Sequence, residues 1–211
     1  MFFELAQLAP RDGYKLLSST IVPRPIAWVV SSSPQGQLNA APFSFFNLFS
    51  DDPPVICLGI MGREGGPKDT AVNIEATGEF VVNLVPQRLA HKMNETAAEY
   101  GYGINELEQA GLSTAPSQLV RVPRIAESPV ALECVQMHTL ALGGGRVVVT
   151  ARVLALHIDD GAVLDAQRCY VDTPALDLVA RMHGGGEFAL TRERFQLLRP
   201  TGPMPSKAPE V

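Results

Sequence analysis

Residues 130–158, VALECVQMHTLALGGGRVVVTARVLALHI, contain two apolar, β-branched runs that are separated by three glycines. The runs 130–142 and 146–158 have thirteen residues each, whereas ordinary strands have about 5–6 residues. Glycines allow the tight turn that joins two antiparallel strands. The segment therefore predicts a hairpin with a long reach, whose strands can bend and change partners as the strands of a β-barrel do.

Outward from this hairpin, predicted strands outnumber predicted helices. Further strands are expected at 26–33, 38–43, 55–61 and 79–85. Helices are expected at 67–76 and after Pro86, a short helix or turn at 172–181, and a long excursion over the surface at 101–126.

The connections between the predicted strands are hairpins rather than regular βαβ crossovers. Such connections favour a closed or nearly closed antiparallel barrel with helices packed outside it. We therefore expect a mainly β fold in a single domain, residues 1–199. The tail 200–211, rich in proline and small residues, is expected to be disordered.

The 211-residue chain is 46% hydrophobic, 18% charged and carries a net charge of −5, which is typical of a globular domain. It has no block of Lys and Arg, so nucleic acid is not expected as a partner. Without a signal-peptide pattern or an apolar run of about 20 residues, we expect a cytoplasmic protein without membrane contact. Cys57, Cys134 and Cys169 lie far apart, which indicates buried thiols rather than disulfides or a metal site.

Residues 63–70, REGGPKDT, combine flexible glycines with a helix start at Pro67. The first turn of a helix has unpaired N–H groups that bind anions. Arg63 and Lys68 add positive charge, and Thr70 adds a hydroxyl group. The segment predicts a site for a single phosphate, but an ordinary capped helix with Asp69 near its start has the same pattern.

Residues 39–47, NAAPFSFFN, place small residues beside aromatic ones. Small residues leave the backbone accessible to a planar ring system, and short polar side chains can fix the orientation of that ring. A core strand with an aromatic plug would also fit. The candidate ring-binding residues are Ala40, Ala41, Phe43, Ser44, Phe45, Phe46 and Asn47.

Arg24 lies between Pro23 and Pro25, which hold the backbone stiffly. A stiffly held guanidinium suits a phosphate or a developing negative charge, although a surface ion pair would hold an arginine in the same way. Among the four histidines, His183 beside three glycines is placed like a residue that lines a site. No pattern of a nucleophile or of paired carboxylates is present.

Together these segments resemble the flavin reductase-like FMN-binding family, which includes flavoredoxin-type proteins. The resemblance runs from Tyr14 to Phe195. It is carried by RPIAWV (24–29), NAAPFSFFN (39–47), SDDPP (50–54), KDT (68–70), GEFVVNLV (78–85), ESPVALEC (127–134) and ARMHGGGEF (180–188).

The resemblance implies a Greek-key split β-barrel that forms a homodimer. FMN would lie near the subunit interface, and FAD is the less expected cofactor. Residues 40–45 would run along the isoalloxazine, and residues 63–70 would hold the phosphate. The implied cofactor contacts are Arg24, Trp28, Asn39, Ala40, Ala41, Pro42, Phe43, Ser44, Asn47, Arg63, Lys68, Asp69 and Thr70. His183 and Phe188, where relatives often carry Leu and Tyr, would line the nicotinamide or substrate pocket.

The function implied by the resemblance is hydride transfer from NADH or NADPH to flavin, with a monooxygenase or another redox protein as a partner. One alternative is an electron carrier that keeps its FMN and exchanges electrons with a partner protein. Another is a barrel that has lost flavin and serves as an interaction module. Since flavin performs the chemistry, no catalytic acid, base, nucleophile or metal is expected from the protein.

Overall fold

The computed structural model describes residues 1–101 and 103–199. The expectation for the tail 200–211 falls outside these residues. The α-helices are Pro10–Thr20 (α1), Asp69–Thr77 (α2), Ala90–Glu95 (α3) and Glu106–Gln109 (α4). Single 3-10 turns occupy Leu5–Gln7, Gln87–Leu89, Asp160–Ala162 and Thr173–Leu176.

The strands are, in chain order, Arg24–Pro25 (β1), Ala27–Ser32 (β2), Leu38–Phe43 (β3), Phe45–Asp51 (β4), Pro54–Ile60 (β5), Glu79–Asn83 (β6), Thr114–Ala115 (β7), Arg124–Ile125 (β8), Val130–Gly143 (β9), Arg146–Ile158 (β10), Val163–Asp165 (β11), Tyr170–Val171 (β12), Val179–Arg181 (β13) and Phe188–Leu190 (β14).

Seven strands form one antiparallel sheet in the order β3-β2-β6-β9-β10-β5-β4. The long hairpin is central, since β9 pairs with β6 through residues 131–135 and β10 pairs with β5 through residues 147–152. The two edge strands, β3 and β4, are consecutive in the chain but are not hydrogen-bonded to each other. The barrel is thus split between β3 and β4, and the predicted mainly β split barrel with few helices is confirmed.

Apolar side chains on both faces of β2 are buried. Val29 faces the barrel interior with residues of β5, β6 and β10, and Val30 faces an outer cluster that is covered by α3, α4 and residues 107–125. Residues 101–126 run over the surface as predicted, but they also contribute a buried layer to this outer cluster, which the sequence did not predict. Leu107, Val122 and Ile125 are almost fully buried, whereas Ile104 and Leu119 are exposed. The irregular spacing of the buried residues gives no periodic signal.

The outer face of the sheet around β4, β5 and β10 is uncovered in the part of the chain that the structure describes. We call this surface the outer groove; its walls include Pro23, Arg24, Ser44, Phe45, Asn47, Phe49, Cys57, Met61, Leu142 and Arg146. Phe49 and Leu142 are 68% and 59% exposed. A contiguous patch of large exposed apolar side chains marks an interaction surface more often than a surface that remains in contact with water.

The cysteines only partly match their prediction. Cys134 is buried and Cys57 half-buried, but Cys169 is exposed at a positive φ of 57° in the β11–β12 turn. The expectation of a buried thiol is wrong for Cys169, because a short exposed hairpin carries it. Among the described residues, no helix has the length and hydropathy needed to cross a membrane.

Candidate functional site

A cleft opens along the free edge of β3, between the start of α2 and residues 96–100. We call it the β3 cleft. Its walls bring together seven of the predicted site residues, which are Asn39, Ala41, Pro42, Arg63, Lys68, Asp69 and Thr70. Two cationic side chains, a helix start and an edge strand therefore meet at one place.

The edge of β3 is built to remain unpaired by another strand. Pro42 has no N–H group, and proline in a sheet is confined to edges and strand starts. The amide of Ala40, which also points away from β2, donates instead to Oε2 of Glu106 at 2.9 Å. The edge therefore has few free donors left for a further strand.

The start of α2 offers backbone donors to the cleft. Its N-cap residue, Lys68, makes no side-chain cap. Among the described residues, no group accepts a hydrogen bond from the amides of Asp69 or Thr70. The amides that lie at the positive end of the helix dipole can therefore bind an anion.

Two cations flank these amides. Arg63 Nη2 lies 2.7 Å from Asp69 Oδ1, in a partly exposed pair that is worth at most about 1 kcal/mol. Lys68 Nζ lies 5.9 Å from the ring centre of Phe43, and no described carboxylate lies within 4 Å of it. A charged lysine without a partner beside free amides is the donor set that a phosphate monoester requires.

A buried hydrogen-bonded network underlies the cleft. Oδ1 of Asn39 accepts from Thr70 Oγ1 at 2.7 Å and from Ser31 Oγ at 3.3 Å. Nδ2 of Asn39 donates to Glu106 Oε1 at 2.8 Å, and Asn73 donates to Ser31 Oγ at 3.2 Å. Since the hydroxyl hydrogen of Thr70 is used inside the protein, Thr70 offers the cleft its backbone N–H rather than its hydroxyl.

Glu106, which sequence reasoning missed, is the one carboxylate in this network. Burial raises its pKa, while the hydrogen bonds from Ala40 and Asn39 act against that rise. The nearest sequence signal is Asn105, whose Oδ1 caps α4 by accepting from Leu107 N at 3.1 Å. That cap predicts a helix start, but nothing local predicts that Glu106 faces β3.

The outer groove receives three other predicted residues, Arg24, Ser44 and Asn47. Arg24 is only 6% exposed. Its Nη1 donates to the carbonyls of Ser18 and Ile21 at the end of α1, at 2.6 and 2.7 Å, and to that of Met182 at 2.8 Å. Burial lowers the pKa of this guanidinium. Arg24 thus fastens α1 to the β13–β14 turn, with Nε 3.4 Å from Ser44 Oγ.

Three predicted cofactor contacts are buried within the walls. Trp28 has no exposed surface, and its indole N–H donates to Thr96 Oγ1 at 2.9 Å. Ala40 is also fully buried, and Phe43 lies under Lys68. Within the described residues, Trp28 and Ala40 offer no surface to a ligand, so we assign them to the support of the cleft.

His183 and Phe188 lie apart from the β3 cleft, on the turn between β13 and β14 and on β14. His183 Nδ1 accepts from Gly185 N at 2.8 Å, and its Nε2 lies 2.8 Å from Glu187 Oε2. Phe188 packs under the guanidinium of Arg181, 4.7 Å from the ring centre. Their assignment to a nicotinamide or substrate pocket stays a prediction.

Residues 18–174 match the family model of the flavin reductase like domain. An uncharacterized protein of Deinococcus radiodurans is 45% identical over 204 residues, which cover 94% of this chain and 89% of the relative.

Two solved structures are also similar over nearly their full length. The 2-nitrobenzoate 2-nitroreductase NbaA of Pseudomonas fluorescens has a TM-score of 0.89 and 30% identity, covering 99% of this chain and 100% of that one. Nitrilotriacetate monooxygenase component B of Bacillus cereus has a TM-score of 0.87 and 31% identity, covering 93% and 98%.

Proposed function

The chain belongs to the flavin reductase-like domain family, and on that premise we propose that it binds FMN and passes electrons from NADH or NADPH through it. The observation that carries the proposal is the start of α2. There, the free amides of Asp69 and Thr70 lie beside Lys68 and Arg63. These groups fit the phosphate of FMN in number, charge and type.

The rest of the cleft supports FMN over FAD. One cationic cradle suits one phosphate, whereas the second phosphate of FAD would need further donors. From this cradle, Ala41, Pro42 and Ser44 lead along the corner between β3 and β4 toward Arg24. The isoalloxazine would lie along this corner, where small side chains leave room for a flat ring.

Bound FMN would supply the two-electron redox chemistry, so the protein's residues have to bind and orient rather than react. The cradle would hold the phosphate, and the backbone of the β3–β4 corner would orient the ring. Arg24, stiffly held and positively charged, would favour negative charge that develops on a nearby ring. The network of Asn39, Thr70 and Glu106 would keep the cradle in place.

We also propose that the functional unit is a homodimer joined through the outer groove. The groove is apolar, uncovered and continuous with the β3–β4 corner, since Ser44 and Phe45 line it. A second copy on this surface would bury Phe49 and Leu142 and would exclude water from the ring.

The two similar structures support an electron-delivering role, because one is a monooxygenase component and the other a nitroreductase. For this chain, a monooxygenase or other redox partner is part of the proposal. The competing function is an electron carrier that receives its electrons from a protein rather than from a nicotinamide.

Visible absorption spectra separate these functions. The purified protein is titrated with FMN and then, without oxygen, with NADH and with NADPH. We expect FMN to bind and its absorbance to bleach with a pyridine nucleotide. Bleaching by dithionite alone would instead favour the electron carrier, and failure to take up FMN would overturn the proposal.

A further inference from the structure

The tip of the β9–β10 hairpin meets the turn that precedes α2. Strand β10 pairs with β5 so that Val147 lies opposite Ile60. Continuing this register by two residues places Gly145 opposite Gly62. The length of the hairpin thus brings residues 143–145 against residues 62–67.

Both sides of this contact are glycine because their backbones touch. A Cβ on Gly145 would lie 2.5 Å from the carbonyl carbon of Gly66 and 2.7 Å from the nitrogen of Pro67, and it would overlap the Gly66 oxygen. A Cβ on Gly62 would overlap the Gly144 oxygen and lie 3.2 Å from the carbonyl carbons of Gly144 and Gly145. Real Cβ atoms do not approach backbone this closely, so any side chain at 62 or 145 must displace one turn.

The turn on the other side of the contact leads directly into the cradle. The amide of Arg63 donates to the Gly66 carbonyl at 2.9 Å, and Gly66 returns a bond to Arg63 O at 3.2 Å. The Gly66 carbonyl that a methyl group on residue 145 would strike is therefore the one that closes this turn. Pro67 and Lys68 follow it at once, so a displaced turn moves the start of α2.

We propose that the hairpin tip positions the phosphate cradle, and that Gly145 and Gly62 are positioning residues for the phosphate of FMN. The inference rests on the proposed function, because it takes the cradle at Arg63, Lys68 and the start of α2 as the phosphate site. Neither glycine lines the β3 cleft; they act by fixing the turn that carries Arg63.

Gly145→Ala tests this role, with Gly143→Ala as its matched control. Both positions have positive φ, 71° and 85°, so alanine strains the backbone at each, but a Cβ at 143 meets nothing within 4 Å. Flavin fluorescence titrations give the dissociation constants for FMN and for riboflavin, which lacks the phosphate. We expect Gly145→Ala to weaken FMN binding at least tenfold more than Gly143→Ala does. Riboflavin binding should be weakened only slightly, and to the same extent in the two variants.

A general loss of structure would weaken both flavins together, so the ratio of the two constants isolates the phosphate. Equal FMN affinities in the two variants would overturn the inference while leaving the proposed function intact. If wild-type protein takes up no FMN, the proposed function fails instead. Gly62→Ala makes the same test from the opposite turn, at a position without positive φ.

Hydrogen exchange on the wild-type protein tests the contact without any variant. We expect FMN to slow exchange of the amides in 62–70 and also in 143–147, and riboflavin to leave both segments nearly unchanged. Protection of 62–70 by FMN without any change at 143–147 would overturn the inference, even if every glycine variant failed to fold.

Discussion

The two edges of the split barrel are finished in opposite ways. At β3, a short helix and buried polar groups cover the edge, and the Ala40 amide is satisfied by Glu106. At β4, the neighbouring sheet face is left apolar and bare, with Phe49 and Leu142 exposed. One edge is complete within a single chain, whereas the other has the character of half an interface. A polar, preformed edge suits a small charged ligand, and a bare apolar face suits a second protein surface.

The largest expected effect tests the bare face. Leu142→Asp replaces an apolar side chain of the outer groove by a carboxylate, and removing that charge from water in an interface costs several kcal/mol in each copy. We expect dimer affinity to fall at least about a hundredfold, as measured by sedimentation equilibrium. The matched control is Leu164→Asp on β11, at a leucine that is exposed to a similar degree, 69%. If the Leu142 variant associates as the wild type does, the interface lies elsewhere.

The next effect concerns the polar edge. Lys68→Ala removes a charge-assisted hydrogen bond worth roughly 1.5–3 kcal/mol, so the dissociation constant for FMN should rise about 10- to 150-fold. Riboflavin affinity should stay constant, as fluorescence titration can measure. Lys15→Ala, on the exposed face of α1 where Lys15 pairs with Asp12, serves as the control. An unchanged FMN constant would remove Lys68 from the site.

A smaller effect is expected where the two regions meet. Ala41→Leu adds bulk along the proposed path of the ring, and overpacking of this kind costs about 1–3 kcal/mol. We expect affinity for FMN and riboflavin to fall together by about tenfold, while Ala41→Gly keeps both. Normal affinity for both flavins in the leucine variant would put the isoalloxazine on another strand.

The sequence predicted the elements whose signals are local. Strand β3 has its predicted bounds because the turn at Pro34–Gly36 and the break at Ser44 limit it. Helix α2 ends at Thr77, one residue beyond its predicted end, because Gly78 has a φ of 72° and donates its amide to Ile74 O in a left-handed cap. The long hairpin and the mainly β fold likewise follow from the apolar runs and their glycines.

What the sequence did not predict depends on contacts between distant residues. Glu106 reaches Asn39 across 67 positions, and no local pattern marks it. The pattern of 39–47 predicts one ring-binding stretch, but the chain crosses from one edge strand to the other at Ser44. The residues of this segment therefore divide between the β3 cleft and the outer groove. No pattern in the sequence predicts helix α1, whose C-terminal end accepts hydrogen bonds from Arg24.

The smallest expected effect is a pH dependence of stability, which tests how far water is excluded from Glu106 at the β3 edge. Burial raises the pKa of Glu106 above that of an exposed glutamate, so the unfolded chain releases this proton at lower pH than the folded protein does. The folded state therefore holds the proton more tightly, and the stability linked to it is full below the unfolded pKa and is lost as pH rises through the folded pKa.

Glu106→Gln removes this titration, so the free energy of unfolding of the wild type minus that of the variant should fall as pH rises from about 4 to 7. Urea unfolding at several pH values measures the difference.

Glu133 supplies the opposite case. Burial would raise its pKa, but hydrogen bonds from the amides of Gln118, Leu119 and Val120 and from His157 lower it overall. For Glu133→Gln, the free energy of unfolding of the wild type minus that of the variant should therefore grow as pH rises from acid. If this difference has the same slope against pH in the two variants, hydrogen bonds stabilise the charged form of Glu106 as well as they stabilise that of Glu133.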